Sequence, residues 1–264
     1  MANTQKLDTH YKALTLNLDP SIFGSFAEIG AGQEVARWFL LVGGASGTVA
    51  KAISAYDKAV SDDLYGAGSR YVSKQRLQAM LDKEWAQLQI QLGKTRGPQT
   101  RFFSFADTVT ARNFTGTNDA NGWVGLRFQL QPGGPPHDLL LHINLRDSAN
   151  VLQQEAIGIL GVNLIFAAFY QLQSKESFLE GLAQDVVRDR IEVDFVEFRG
   201  PPSPAGTIKL SWRTWCRRVM RKLFGSRQKE RPVPLPSFCT TDLSCSRRDT
   251  LATSMPFIRK FIAR

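Results

Sequence analysis

Cysteine is almost missing from the chain. Its 264 residues hold three, Cys216, Cys239 and Cys245, so none precedes residue 216. An odd number without metal-like spacing argues against a disulfide framework and for a reducing, cytoplasmic compartment. Histidine is as rare: His10, His137 and His142 are too scattered for a metal site, and no metal is expected. The first twenty residues, MANTQKLDTHYKALTLNLDP, lack an apolar stretch behind a basic start, so no secretory signal is expected. No run of about 18 apolar residues occurs, so no integral membrane segment is expected. The nearest approach, Ala156–Tyr170 (AIGILGVNLIFAAFY), carries Asn163 and reads as a buried helix. A Gly-x-Ser-x-Gly elbow is lacking too, and spacing proposes no nucleophile–base pair. Catalytic residues, enzyme status and cofactors therefore stay unassigned.

What is present is unevenly distributed. The net charge of +9 splits at about residue 198. Residues 1–198 hold 18 Lys+Arg against 21 Asp+Glu, whereas residues 199–264 hold 15 against 3, with 7 of the 12 prolines. Such asymmetry marks a separate module or tail, and the high pI says little about residues 1–198. With 43% hydrophobic residues the chain is ordinary for a globular protein.

Within residues 1–198 the patterns predict a strand over Ser21–Ile29 and a helix over QEVARWFLLV. A second helix is expected across TVAKAISAYDKAVSDDLY. The strongest helix starts after Ser73, where Leu77, Met80, Leu81, Trp85 and Leu88 form one stripe. Strands follow over Arg101–Asn113, Trp123–Gln131 and His137–Asp147, divided by TGTNDANG and PGGPP, the pattern of a β-meander. Helices over Val151–Tyr170 and Lys175–Val187 and a half-exposed strand over Arg190–Phe198 complete the order. The fold class is mixed α/β (α+β): a partly antiparallel sheet packed by helices, followed by a disordered basic C-terminal tail.

Two glycine turns invite a phosphate reading. A dinucleotide fingerprint needs three glycines, but GAGQEV has Gly30 and Gly32 with Val35 in the third place. Glu34 would also repel a phosphate at the helix start. GGASGTVAK misses the P-loop spacing between its glycines, and Lys51 comes too late. A looser anion site remains, with Gly47 and Thr48 at a helix N-terminus and Arg37 or Lys51 nearby. The competing reading is that Gly43, Gly44 and Gly47 only let helices turn and pack.

The other polar concentration is HINLRDSANVLQQE. Arg146 would take an anion, with Asp147, Asn150 and Glu155 as ligand-binding neighbours. Helix capping by Ser148 or Asn150, boxed with Gln153 or Gln154, accounts for part of that polarity. His142 alternates with Leu141 and Ile143 and reads as a hydrogen-bonded structural histidine.

In residues 199–264, Trp212, Trp215, Cys216, Val219, Met220, Leu223 and Phe224 recur at helical spacing among Arg213, Arg217, Arg218, Arg221 and Lys222. A basic amphipathic helix of this kind can contact anionic lipid, a calmodulin-like groove or nucleic-acid phosphates. A shifted reading frame beyond EFRGPP would produce the same Arg/Ser/Pro/Cys enrichment.

LDTHYKALTLNLDPSIFGSFAEIGAGQEVARWFLLVGGASGTVAKAISAYD, RYVSKQRLQAMLDKEW, FFSFADTVTARNF, GWVGLRF, LQQEAIGILGVNLIFAAFY and RIEVDFVEF together carry a resemblance. Over residues 7–200 the chain resembles an uncharacterised bacterial family met in cyanobacteria and other environmental bacteria. Its members continue well past a Gly-Pro like Gly200-Pro201, where this chain departs from them. They carry the names TonB-dependent receptor or nicotinamide-nucleotide adenylyltransferase. The first would need a signal peptide and many amphipathic strands. The second would need an early His-x-x-His or Gly-His motif and a late Ser-x-Thr-x-x-Arg; the three histidines and DTVTAR supply neither.

The sequence thus predicts a cytoplasmic α/β domain that binds a small anionic or nucleotide-like ligand through Arg37, Gly47, Thr48, Lys51, Arg146, Asp147, Asn150 and Glu155. A non-enzymatic scaffold or assembly subunit is the alternative, with a homo-oligomer left open. The tail is assigned to anionic lipid or nucleic acid.

Overall fold

The computed structural model describes residues 8–186, 190–201 and 209–211. Helix α1 (Thr9–Leu18) leads into strand β1 (Ile22–Gly30), helix α2 (Glu34–Leu41) and strand β2 (Val49–Ile53). Helices α3 (Lys58–Tyr65) and α4 (Lys74–Leu92) precede a run of three strands, β3 (Arg101–Val109), β4 (Asn121–Gln129) and β5 (Pro136–Leu145). Helices α5 (Asn150–Tyr170) and α6 (Lys175–Ala183) and strands β6 (Ile191–Arg199) and β7 (Lys209–Ser211) close the order. One mixed seven-stranded sheet results, ordered β2-β1-β3-β4-β5-β6-β7. β1 runs parallel to β2 and β3, and every later pairing is antiparallel. The mixed α/β class and the β3–β4–β5 meander are as the sequence patterns predict.

Two elements differ from the prediction. The stretch expected to be one helix from Thr48 to Tyr65 holds a strand and a helix. Val49, Lys51 and Ile53 take one face of β2 while Ala50 and Ala52 take the exposed one, so the period is two. Alanine and lysine, good helix formers, disguise it. Asp57 then starts α3, its carboxylate accepting from the backbone N–H of Ala59 and Val60. The second element is α1, which has no counterpart in the predicted order. Asp8 caps it, but a lysine, Lys12, occupies a fully buried position on its inner face and breaks the apolar stripe. Lys12 Nζ donates to Asn163 Oδ1 at 2.5 Å, and burial lowers its pKa to about 8.

The helices take both faces of the sheet, as right-handed crossovers to opposite sides of β1 require. On one face α1, α2, α5 and α6 pack over Ile22, Phe26, Phe103, Phe105, Val124 and Leu141. Phe26 sits at the centre of this layer, its ring 5.0 Å from Phe39 and 5.4 Å from Phe103. On the other face α4 lays Leu77, Met80 and Leu81 over Ala27, Ala106 and Leu140. α5 is long and apolar enough to cross a membrane, yet 72% of that window is buried inside the fold. It is the core helix that its composition predicts. Lys209–Ser211, the start of the basic stretch read as helical, pair with β6 as strand. Residues 212–264, with Trp212–Phe224 and the proposed lipid or nucleic-acid contacts, lie outside the described residues.

Close approach of α2 to α5 depends on glycine. A Cβ on Gly161 would stand 2.3 Å from Val35 Cγ2, and one on Gly158 would stand 3.0 Å from Glu34 Cβ. Alanine at 161 therefore overpacks a β-branched neighbour that has little rotamer freedom. Gly161→Ala should destabilise the fold by about 1–3 kcal/mol despite its better helix propensity. Adding Val35→Ala should make the Gly161→Ala step less costly, a non-additivity that urea unfolding of the double-mutant cycle would read out.

Candidate functional site

Both glycine turns are occupied by the protein's own groups. β1 ends at Gly30 (φ +83°), and Gln33 adopts a left-handed conformation (φ +83°) just before α2. The first N–H groups of α2, which a phosphate would need, point at Glu28 instead. Its Oε1 accepts from Gln33 N at 2.8 Å and Val35 N at 3.0 Å, and its Oε2 accepts from Ala36 N at 3.0 Å. A buried carboxylate thus takes the anion position of this helix N-terminus. Directly beside it in the parallel register lies Asp107. Asp107 is fully buried; its Oδ1 accepts from Ile29 N at 3.2 Å, and its Oδ2 has no partner among the described residues. Gly32 is required here because a Cβ would come within 2.1 Å of Asp107 Oδ1. Burial raises the pKa of both acids, and Glu28 pushes Asp107 further, to well above the usual carboxylate range.

The second turn offers no cradle. A 3-10 turn over Ala45–Gly47 precedes a strand rather than the expected helix, so Gly47 and Thr48 have no helix N-terminus. Gly47 N and Thr48 N donate to Gly44 O and Ala45 O, and buried Thr48 Oγ1 donates to Leu16 O.

The remaining residues of the expected ligand set stand apart. Arg37, 64% exposed on α2, pairs with Glu34 one turn earlier. Lys51 binds Glu84 and Gln87 of α4, each at 2.7 Å. Arg146 bonds Glu192, while Asp147 and Glu155 both bind Arg190 at 2.8 Å. Asn150 is exposed in the first turn of α5, whose N-cap is Ala149, not Ser148 or Asn150. Gln153 instead ties the loop down, donating to Asp147 O and accepting from Arg112 N. The Arg146–Glu155 loop is a latch joining β5, α5 and β6. Three strands separate it from Lys51 on β2, so the structure does not gather the expected set into one site.

What the structure does gather lies on the α4 face. A cleft of about 620 Å³ opens between the α3–α4 connection, the first turns of α4, and strands β4 and β5. Gly66 (φ +82°) stops α3, and Ser73 starts α4, its Oγ accepting from Arg76 N at 3.1 Å while donating to Arg70 O at 2.9 Å. Arg70, Lys74 and Arg76 line the cleft, and among the described residues no carboxylate does. Arg76 is buried and spent on Ser61 O and Asp62. Lys74 pairs with Glu197 at 2.7 Å, its Nζ 4.9 Å from the Phe195 ring centre. Arg70 is exposed and has no ion pair among the described residues.

The floor holds Trp123 and His142, facing residues of β4 and β5 with ring centres 4.9 Å apart. β6 bulges here: His142 faces Phe195 and Ile143 faces Val193, leaving Asp194 as an extra residue. The Asp194 carboxylate meets His142 Nδ1 at 2.7 Å and takes the Asn144 Nδ2 hydrogen bond at 2.9 Å. His142 is hydrogen-bonded, as its place in the strand suggested, but it is also a wall of the cleft. Sequence reasoning missed the cleft because Arg70, Trp123 and His142 lie on separate elements that only strand register and the packing of α4 bring together. A usable signal was YGAGSRYVSK, a third glycine-rich turn running into a capped helix.

No family model and no curated protein matches the chain. Among solved structures, the competence/damage-inducible protein CihA from Agrobacterium tumefaciens is similar at 19% identity and TM-score 0.42, over 61% of this chain and 94% of that one. The competence damage-inducible protein A (ComA) from Klebsiella pneumoniae matches at 13% identity and TM-score 0.38, over 61% and 94%. A competence-damaged protein (CinA) superfamily member from Escherichia coli matches at 13% and 0.36, over 61% and 87%. Neither receptor nor adenylyltransferase, the names borne by the resembling bacterial family, is among these matches.

The buried acid pair yields a stability test. Asp107 keeps its proton in the folded chain above the pH at which the unfolded chain releases it, so the folded state binds more protons. Stability is therefore lost as pH rises from the ordinary carboxylate value of 3.8 towards the raised one. Asp107→Asn does not titrate. Its melting temperature relative to wild type should climb between pH 4 and pH 8, and a pH-independent difference would refute the raised pKa.

Proposed function

We propose that the chain binds a small anionic ligand, nucleotide-like in size, in the cleft between the α3–α4 connection and strands β4 and β5. One observation carries this reading: among the described residues, three cations and a histidine line the cleft and no carboxylate does. Of the cations, Arg70 is the one left without an ion pair among the described residues. Its neighbours are held in place by Asp62 and Glu197 outside the cleft lining, so they contribute field rather than a free hand. The volume of about 620 Å³ suits a small molecule, and Trp123 gives it an apolar floor. The anion assigned by sequence to Gly47–Lys51 and Arg146–Glu155 thus moves to the third glycine turn.

Inorganic pyrophosphate is the simplest probe. It should raise the melting temperature of the full chain saturably, because a ligand of the native state stabilises that state. Added salt should weaken the effect. Arg70→Glu alters an exposed residue and should leave the unliganded melting temperature unchanged. It should weaken pyrophosphate binding by about tenfold or more, equal to about 1.4 kcal/mol. Absence of a saturable shift at millimolar pyrophosphate, or a shift indifferent to Arg70→Glu, would reject the reading.

A further inference from the structure

We propose that the cleft's ligand carries a hydroxyl group as well as its negative charge, and that His142 Nε2 accepts a hydrogen bond from that hydroxyl. This rests on the anion reading above and supplies the other end of the ligand.

A carboxylate oxygen accepts, so the 2.7 Å contact with Asp194 places an imidazole proton on Nδ1. The carboxylate cannot turn away, because its second oxygen is engaged by Asn144 Nδ2 at 2.9 Å. In the tautomer that carries its proton on Nδ1, the ring presents a bare lone pair at Nε2. Among the described residues nothing donates to Nε2, and His142 lines the cleft. An extra residue in β6 is what brings Asp194 onto the ring, so the fold departs from a regular ladder at the point that fixes this tautomer.

An acceptor in a ligand cleft selects a donor. A carboxylate or phosphate oxygen would face the lone pair and be repelled. An ammonium group would suffer from Lys74, whose Nζ lies 5.8 Å from the centre of the Trp123 ring that also flanks His142. A neutral hydroxyl meets neither objection. The ligand class is therefore a small phosphorylated or carboxylated alcohol, with its anion towards Arg70 and Lys74 and its hydroxyl on His142.

Glycerol 3-phosphate and propyl phosphate share charge and carbon chain and differ in hydroxyls. By calorimetry on the full chain, glycerol 3-phosphate should bind about tenfold tighter or more, the usual loss when a site's polar group is left unmatched. His142→Phe keeps a ring against Trp123 and removes the acceptor. It should abolish the preference, read as the ratio of the two affinities. Asp194→Asn can turn its amide N–H towards Nδ1 and move the ring proton to Nε2. It should also abolish the preference, with the tautomer exchange visible in nitrogen NMR of the histidine ring, a readout that a merely structural role for Asp194 would not move. Equal binding of both esters in the wild type, or a preference that survives His142→Phe, overturns the proposal. If both bind equally and Arg70→Glu weakens both, only this proposal falls. If neither binds, the anion reading has failed and takes this one with it.

Discussion

The hydrogen bonds between Glu28 and the start of α2 are the joint on which the first half of the molecule turns. β1 is the point from which the chain departs to β2 on one side and returns to β3 on the other. In sheets of this kind such a switch point is where ligands usually meet helix N-termini. Here three backbone N–H groups are already satisfied by a side chain from the preceding strand. Because the carboxylate is buried, it cannot leave without orphaning those donors. Its neighbour Asp107 is then buried under Gly32, with its pKa raised by burial and by Glu28. The helix is fixed in angle and depth, and α5 can pack against it through Gly158 and Gly161.

With that junction filled, open space is found on the opposite face. The cleft exists because the α3–α4 connection stands off the sheet and the floor is made of residues partly committed to one another. Trp123, His142 and Phe195 form a contiguous aromatic group across β4, β5 and β6. Two of the three cations above it, Lys74 and Arg76, are steadied by Glu197 and Asp62. A site whose side chains are already braced loses little freedom on binding, which lowers the cost of association.

Much of the architecture was legible in the sequence, and the site was not. Ser73 and its stripe, the three strands divided by TGTNDANG and PGGPP, and the long apolar helix all carry local signals of period and punctuation. α1 and β2 were hidden by single residues: Lys12 looks like a surface residue until Asn163 receives it, and Ala50 and Ala52 mimic a helix. The residues read as a functional set, Arg37, Lys51 and Arg146, stand apart in the fold for a different reason. A sequence displays charges but not their partners, and each of these was already paired. Asp194 acquires its meaning only through a bulge, which no spacing rule announces.

The parallel pairing of β1 with β3 joins residues 79 apart, whereas β3, β4 and β5 are linked by short turns. Closing so long a loop costs entropy before any contact rewards it, so the meander is the natural early structure and β1 its late addition. Glu28 and Asp107 are brought side by side only at that docking step. Burial raises the Asp107 pKa only once the two strands are side by side, so the docking of β1 onto β3 is the step that couples the assembly of the sheet to proton uptake.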